Sequence, residues 1–98
     1  MTDQIEIIKK IHNSPFRFVI VSSGGGTNAI SNILKVPGAS QSVLEAHVPY
    51  AKESIDHYLL KEPDHYCSLD TTLSIAAKAY SAAKKIDQNS HPKNLLGI

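Results

Sequence analysis

The chain has 98 residues, which suits one domain, and its 42% hydrophobic and 19% charged residues are ordinary for a globular protein. Its net charge of +1 provides no basic field for nucleic acid, and no apolar stretch reaches the roughly 18 residues that span a bilayer. The single cysteine excludes an internal disulfide, and the first ten residues lack the order of a signal peptide. We therefore expect a soluble, cytoplasmic protein that binds neither nucleic acid nor membranes.

The first half of the chain alternates helical and strand patterns. Isoleucines at helical spacing predict a helix over residues 3–12, and the run FRFVIV predicts a buried strand over residues 16–21. A second helix is predicted over residues 27–35, followed by a short strand around residues 43–48. This alternation is typical of an α/β protein.

The second half continues the alternation. Helices are predicted over residues 51–60 and 69–86, with Ser68 as the N-cap of the longer one, and a final strand begins near Asn94. The alanines of the longer helix indicate close packing on another element, with these residues turned inward: Leu73, Ala76, Ala77, Tyr80 and Ala83. The fold class predicted for the whole chain is an α/β layered sandwich with a mainly parallel sheet.

The stretch Ser22-Ser-Gly-Gly-Gly-Thr27 lies between a predicted buried strand and a predicted helix. Glycines let a ligand approach the backbone, and a helix start offers free N–H groups at its positive end, which favours an anion. The stretch does not match the Walker phosphate loop, the dinucleotide-binding loop or the nucleophile elbow. It is therefore either a tight turn or a ligand site, and its place at the carboxyl end of a strand favours the ligand site.

Other candidate side chains are less specific. Of the five histidines, only His65 lies close to Cys67, which is too few ligands for a zinc site. We predict no metal, and we expect the histidines in turns or on the surface. Tyr50 and Lys52 are either an acid–base pair or, for Tyr50, a packing residue at a helix start.

Four motifs occur in one order along the chain: Gly24-Gly-Gly-Thr27, Val36-Pro-Gly-Ala-Ser40, Val48-Pro-Tyr50 and Ser68-Leu-Asp-Thr71. In this order they resemble the C-terminal domain of CinA proteins, especially its eukaryotic-type relatives, over nearly the whole chain. The resemblance implies an α/β sandwich that hydrolyses the carboxamide of nicotinamide mononucleotide to nicotinate mononucleotide. It implies neither a cofactor nor a metal.

The resemblance also assigns the site residues. Ser23 falls on the family's nucleophilic serine, and Ser22 takes that place only with a one-residue gap. Tyr50 falls on the tyrosine near the reacting group. The ligand-binding loop would comprise Ser22, Gly24, Gly25, Gly26 and Thr27, with the Gly25 and Gly26 amides as candidate oxyanion donors.

The chain also departs from the family pattern. Ile55 stands where the family has a lysine, Val21 stands where it has a glutamate, and the family domain continues past the position of Ile98. We therefore expect one domain over residues 1–98 that lacks the family's C-terminal part and has little or no deamidase activity. The alternatives are a non-catalytic nucleotide- or phosphate-binding module and an inactive fragment. Pairing between copies of the chain is a further expectation, because the last strand would leave an exposed edge.

Overall fold

Helices and strands follow one another along the chain in the predicted order. The computed structural model describes residues 2–98. Within them, the α-helices are α1 (Thr2–His12), α2 (Thr27–Lys35), α3 (Lys52–Leu59) and α4 (Leu69–Ile86), and the strands are β1 (Arg17–Val21), β2 (Val43–His47) and β3 (Leu95–Gly97). Single 3₁₀ turns cover Ala39–Gln41 and Pro92–Asn94. The predicted helices and strands are confirmed, with ends that differ by at most one residue.

The three strands form one sheet in the order β2-β1-β3, and both pairings are parallel. This confirms the predicted α/β fold class and its parallel sheet. The register between β1 and β2 shifts between Phe18 and Val19, so Leu44 forms a bulge in β2. Since the strands are parallel, their ends meet at two edges: the carboxyl edge, after Val21, His47 and Gly97, and the amino edge, before Arg17, Val43 and Leu95.

The main core lies between β1, β3 and α4. Val19 is fully buried against Ala79, Ala83 and Leu95. A Cβ atom added at Gly97 would overlap the backbone of α4 at Ala76 and Tyr80, so a side chain there would force β3 away from the helix. The close packing predicted for the alanine-rich helix is thus confirmed.

The face of α4 that meets the sheet differs from the prediction. The buried residues of this helix are Thr71, Ile75, Ala79 and Ala83. Ala83 is therefore confirmed as an inward residue, but Leu73 is 57% exposed and Ala77 is also exposed, so for these two the prediction is wrong. The close approach of β3 to α4 at Gly97 explains which side of the helix faces the sheet. The small side chains of Ala79 and Ala83 fit between the helix and the sheet, and a leucine side chain does not.

The sheet also has a face opposite α4. Phe18 lies on this face because side chains alternate along a strand, and it is buried, as are Ile8 of α1 and Ile30 of α2. Leu34 of α2 is half exposed.

The amino edge contains a buried histidine. His12 ends helix α1 and is 2% exposed, so the expectation that the histidines lie in turns or on the surface is wrong at this position. Its Nε2 is 3.1 Å from the carbonyl oxygen of Ile33, and its Nδ1 is 2.6 Å from the Oγ of Ser42. Because a carbonyl only accepts, Nε2–H donates to Ile33, and in the neutral ring Nδ1 then accepts from the Ser42 hydroxyl. Both ring nitrogens are satisfied within the fold.

An ion pair joins β1 to the end of α4 at the same edge. An Nη of Arg17 donates to an oxygen of the buried Asp87 carboxylate at 2.8 Å. Asp87 also accepts from the Ser90 hydroxyl at 2.6 Å and from the backbone N–H groups of Asn89 and Ser90. These hydrogen bonds, above all those from Ser90, hold the pKa of Asp87 well below its usual range. The carboxylate therefore fixes the turn after α4 to the first strand.

Candidate functional site

The loop over residues 22–27, which we call the glycine loop, leaves the middle of the carboxyl edge. The N–H of Ser22 donates to the carbonyl of His47 at 3.0 Å, and the N–H of Val21 donates to the carbonyl of Ile98 at 2.8 Å. The end of β1 is thus held from both sides. The glycine loop begins from a fixed point between the ends of its two neighbouring strands.

The glycines of this loop are not required by its own backbone. None of them has a positive φ, since Gly38 is the glycine with that conformation in residues 2–98. A Cβ atom added at Gly24 or Gly25 would meet nothing within 4 Å. Neither packing nor backbone conformation therefore explains why these two positions lack side chains. Free space above the backbone is what a ligand needs in order to approach it.

The two serines of the loop differ in their surroundings. Ser22 is half-buried, and its Oγ lies 3.1 Å from the place where a Cβ at Gly26 would stand. Ser23 is exposed, and no hydrogen bond within residues 2–98 involves its side chain. Ser22 therefore lies beneath the loop, whereas Ser23 is accessible to a bound molecule.

The loop residues before α2 keep their backbone donors free. Gly26 is the N-cap, and no side chain caps the helix. The N–H groups of the four residues Ser23–Gly26 donate to no other residue in the described part of the chain. The positive end of the helix dipole also favours an anion at this place.

Tyr50 lies at the same edge of the sheet. It follows β2 after Val48 and the buried Pro49, just before α3 begins, and it is 75% exposed. Its ring is thus free to contact a ligand rather than packed in the core. The structure brings Ser23 and Tyr50 to the one edge where the ends of β1 and β2 lie side by side.

No base assists Ser23 among residues 2–98. Ile55 is only 6% exposed and belongs to the inner face of α3. The Nζ of Lys52 lies 5.6 Å from the ring centre of Tyr66, towards the segment between α3 and α4. The acid–base pair considered for Tyr50 and Lys52 finds no support in this placement.

The fourth motif of the sequence has a structural role. The Ser68 hydroxyl accepts from the N–H of Thr71 at 3.1 Å and caps α4, as predicted. The Thr71 hydroxyl donates to the carbonyl of His65. Nearby, the Tyr66 hydroxyl donates to Asp56 at 2.7 Å, and this bond to a carboxylate raises the pKa of Tyr66 to about 12. These contacts order the segment between α3 and α4.

That segment borders a cavity that was not predicted from the sequence. The cavity has a volume of about 640 Å³ and lies between residues 59–68 and the outer side of α4. Leu59, Pro63, Leu73 and Ala77 supply apolar lining, and three carboxylates line it as well: Glu62, Asp64 and Asp70. The missed signal was charge distribution: five of the nine carboxylates, but one of the ten Lys and Arg residues, lie in residues 53–70. This segment has a formal charge of −4 and the rest of the chain +5.

Comparisons of the chain with protein-family models, curated proteins and solved structures found no match. Within residues 2–98, no group of three or more His, Cys, Asp and Glu side chains could hold a metal ion. No helix in that range is long and apolar enough to cross a membrane. The features that bear on function are therefore the glycine loop, the cavity beside α4 and the resemblance described above.

Proposed function

We propose that the chain is a CinA-like α/β domain that binds nicotinamide mononucleotide through its phosphate at the glycine loop. The observation that supports this most strongly is the row of four N–H groups, Ser23–Gly26, which lack acceptors within residues 2–98. They lie at the carboxyl edge, where open parallel sheets bind ligands, and phosphate oxygens are suitable acceptors for such a row.

The rest of the nucleotide would extend from the loop along the carboxyl edge. Tyr50 is exposed there and offers an aromatic face for the nicotinamide ring. Gly24 and Gly25 leave the loop backbone open from above. In this arrangement the loop holds the phosphate and the tyrosine positions the ring.

The reaction implied by the family resemblance is hydrolysis of the nicotinamide carboxamide. Ser23 Oγ would bond to the carboxamide carbon, ammonia would leave, and water would then release the nicotinate product. Serine is a weak nucleophile without a base, and the absence of a general base costs a factor of about 10²–10⁴ in rate. The same loop amides also cannot hold a phosphate and an oxyanion at once. We therefore propose binding with little or no turnover.

Binding is tested by ligand-induced stabilisation of the wild-type chain and of Gly25→Val. A Cβ atom at this position meets nothing within 4 Å, so the valine is expected to block the loop without disturbing the core. Ser40→Val, on an exposed residue of the amino edge, is the matched control. Nicotinamide mononucleotide at 100 times its Kd should stabilise the wild type and the control by about 2.7 kcal/mol, and Gly25→Val much less.

Nicotinamide riboside, which lacks the phosphate, serves as the second comparison. It should produce little stabilisation, whereas inorganic phosphate should compete with the nucleotide. Equal stabilisation of wild type and Gly25→Val, or equal effects of riboside and nucleotide, would show that the loop does not hold a phosphate.

Turnover is tested by incubating the purified chain with nicotinamide mononucleotide and measuring ammonia and nicotinate mononucleotide. We expect no product above the rate without protein. Robust turnover that disappears in Ser23→Ala would instead make the chain a working amidohydrolase.

A further inference from the structure

The cavity beside α4 combines apolar and acidic surface on one side of the molecule. Its apolar lining includes Leu73 and Ala77 of α4 and Leu59 of α3. Leu69, one turn before Leu73, is 73% exposed. Positions 69, 73 and 77 are four residues apart, so they form a stripe about 12 Å long on one side of the helix. We call this stripe and the cavity beside it the α4 groove.

The stripe is not part of the core described above. Successive positions in a helix are about 100° apart, so Leu73 lies on the far side of α4 from Thr71 and Ile75, which are buried. Leu73 keeps more than half of its surface in contact with water. A helix with an apolar stripe on each of two sides has one stripe more than its own sheet can bury.

The charge around the groove is opposite to that of the whole chain. Glu62, Asp64 and Asp70 line it together with Lys61, which gives a formal charge of −2 when His65 is neutral, on a chain of net charge +1. The field at this end is also visible at Tyr66, where Asp56, Glu62 and Glu53 all act to raise the pKa of the phenol. A cationic partner is therefore attracted, and an anionic membrane surface or nucleic acid is repelled.

We infer that the α4 groove binds a basic amphipathic helix of a partner protein. A linear apolar stripe matches the i, i+4 spacing of leucine-like anchors on another helix, and the acidic residues beside it match lysines that flank those anchors. The small side chain of Ala77 allows the two helices to approach closely. This inference does not depend on the glycine loop and would hold if the nucleotide did not bind.

The test measures binding of a fluorescein-labelled 18-residue peptide of leucine and lysine arranged with one apolar face. Two comparison peptides have the same composition in scrambled order, or glutamate in place of lysine. Fluorescence anisotropy with the full chain should show binding of the amphipathic basic peptide, weakened by added salt. Both comparison peptides should bind at least about tenfold more weakly.

Matched variants locate the binding site. Leu73→Asn should weaken binding about tenfold or more, whereas Leu34→Asn, on a similarly exposed leucine of α2, should leave it unchanged. The pair Glu62→Gln and Asp64→Asn should weaken binding and flatten its salt dependence. The pair Asp3→Asn and Glu6→Gln, on the exposed surface of α1, should do neither.

Three results would overturn the inference. The first is that the amphipathic basic peptide does not bind, or binds no better than its scrambled form. The second is unchanged binding to Leu73→Asn. The third is a dimer of the wild-type chain in sedimentation that becomes monomeric in Leu73→Asn, because a second copy of the chain would then be the occupant of the groove.

Discussion

The two edges of the sheet use their polar groups differently. At the amino edge, His12, Ser42, Arg17 and Asp87 are all bonded within the chain. At the carboxyl edge, the four amides Ser23–Gly26 donate to nothing in residues 2–98. Buried polar groups without partners are costly, whereas exposed ones cost little, so a fold can keep spare donors only where water or a ligand reaches them. Stability should therefore depend on the amino edge, and binding on the carboxyl edge.

The largest expected effect is that of His12→Ala. This change leaves a cavity, and it removes the short hydrogen bond of the fully buried Ser42 hydroxyl, which keeps only the carbonyl of Ala39 at 3.5 Å. The free energy of unfolding should fall by about 3 kcal/mol, measured by urea titration. Ser42→Ala should cost about 1–2 kcal/mol, and the double variant less than the sum of the two, because they share one hydrogen bond. If His12→Ala lowered the free energy of unfolding by less than about 1 kcal/mol, the amino edge would not be the part of the sheet on which stability depends.

Asp87→Asn should have the next largest effect, and that effect should depend on pH. The pKa of Asp87 is lower in the folded chain than in the unfolded chain, so its charged form stabilises the fold above the unfolded pKa of about 4. This contribution is lost as the pH falls through the folded pKa. The difference in free energy of unfolding between wild type and Asp87→Asn should thus be largest at neutral pH and should shrink from pH 5 towards pH 2. A difference that grows on acidification would contradict the assignment.

The smallest expected effects are those of two glycine substitutions, one near each edge of the sheet. Gly38, in the turn before the amino edge of β2, has a φ of +94°, which alanine adopts only with strain. Gly38→Ala should lower the free energy of unfolding by about 1 kcal/mol or more. Gly25→Ala, which meets neither strain nor neighbours, should change it by less than about 0.5 kcal/mol. If thermal denaturation showed that the two variants lose the same free energy of unfolding, the glycine loop would be as constrained as the turn at Gly38.

Local pattern was sufficient to predict the elements of this chain. The run FRFVIV, the glycines after it and the cap at Ser68 each depend on neighbours in sequence, and the elements they predict are all present. The same is true of the glycine loop as a site candidate, since a strand followed by glycines and a helix places it at the carboxyl edge. Its free amides and the exposure of Ser23 follow from that placement.

Contacts between distant residues could not be predicted in this way. Helix α4 has two apolar stripes, and the one that faces the sheet is determined at Gly97, which approaches residues 17–21 positions earlier in the chain. His12 is buried because Ser42 and Ile33 satisfy its two nitrogens, and neither partner is near it in sequence. The α4 groove could not be predicted for the same reason. Only when the side of α4 that packs on the sheet is known does it follow that the stripe at positions 69, 73 and 77 is exposed.

The central position of β1 also has a consequence for how the chain reaches its folded state. Phe18 pairs with Val43, but Arg17 pairs with Leu95, 78 residues later, so the sheet is completed by a contact between the two ends of the described chain. Such non-local pairing slows folding, because the entropy of closing long loops is lost before the contact forms. Until β3 and α4 have packed against β1, one side of β1 has no partner strand and Val19 is exposed to water. The apolar run from Phe18 to Val21 is then available to other chains, so refolding yield should fall as protein concentration rises.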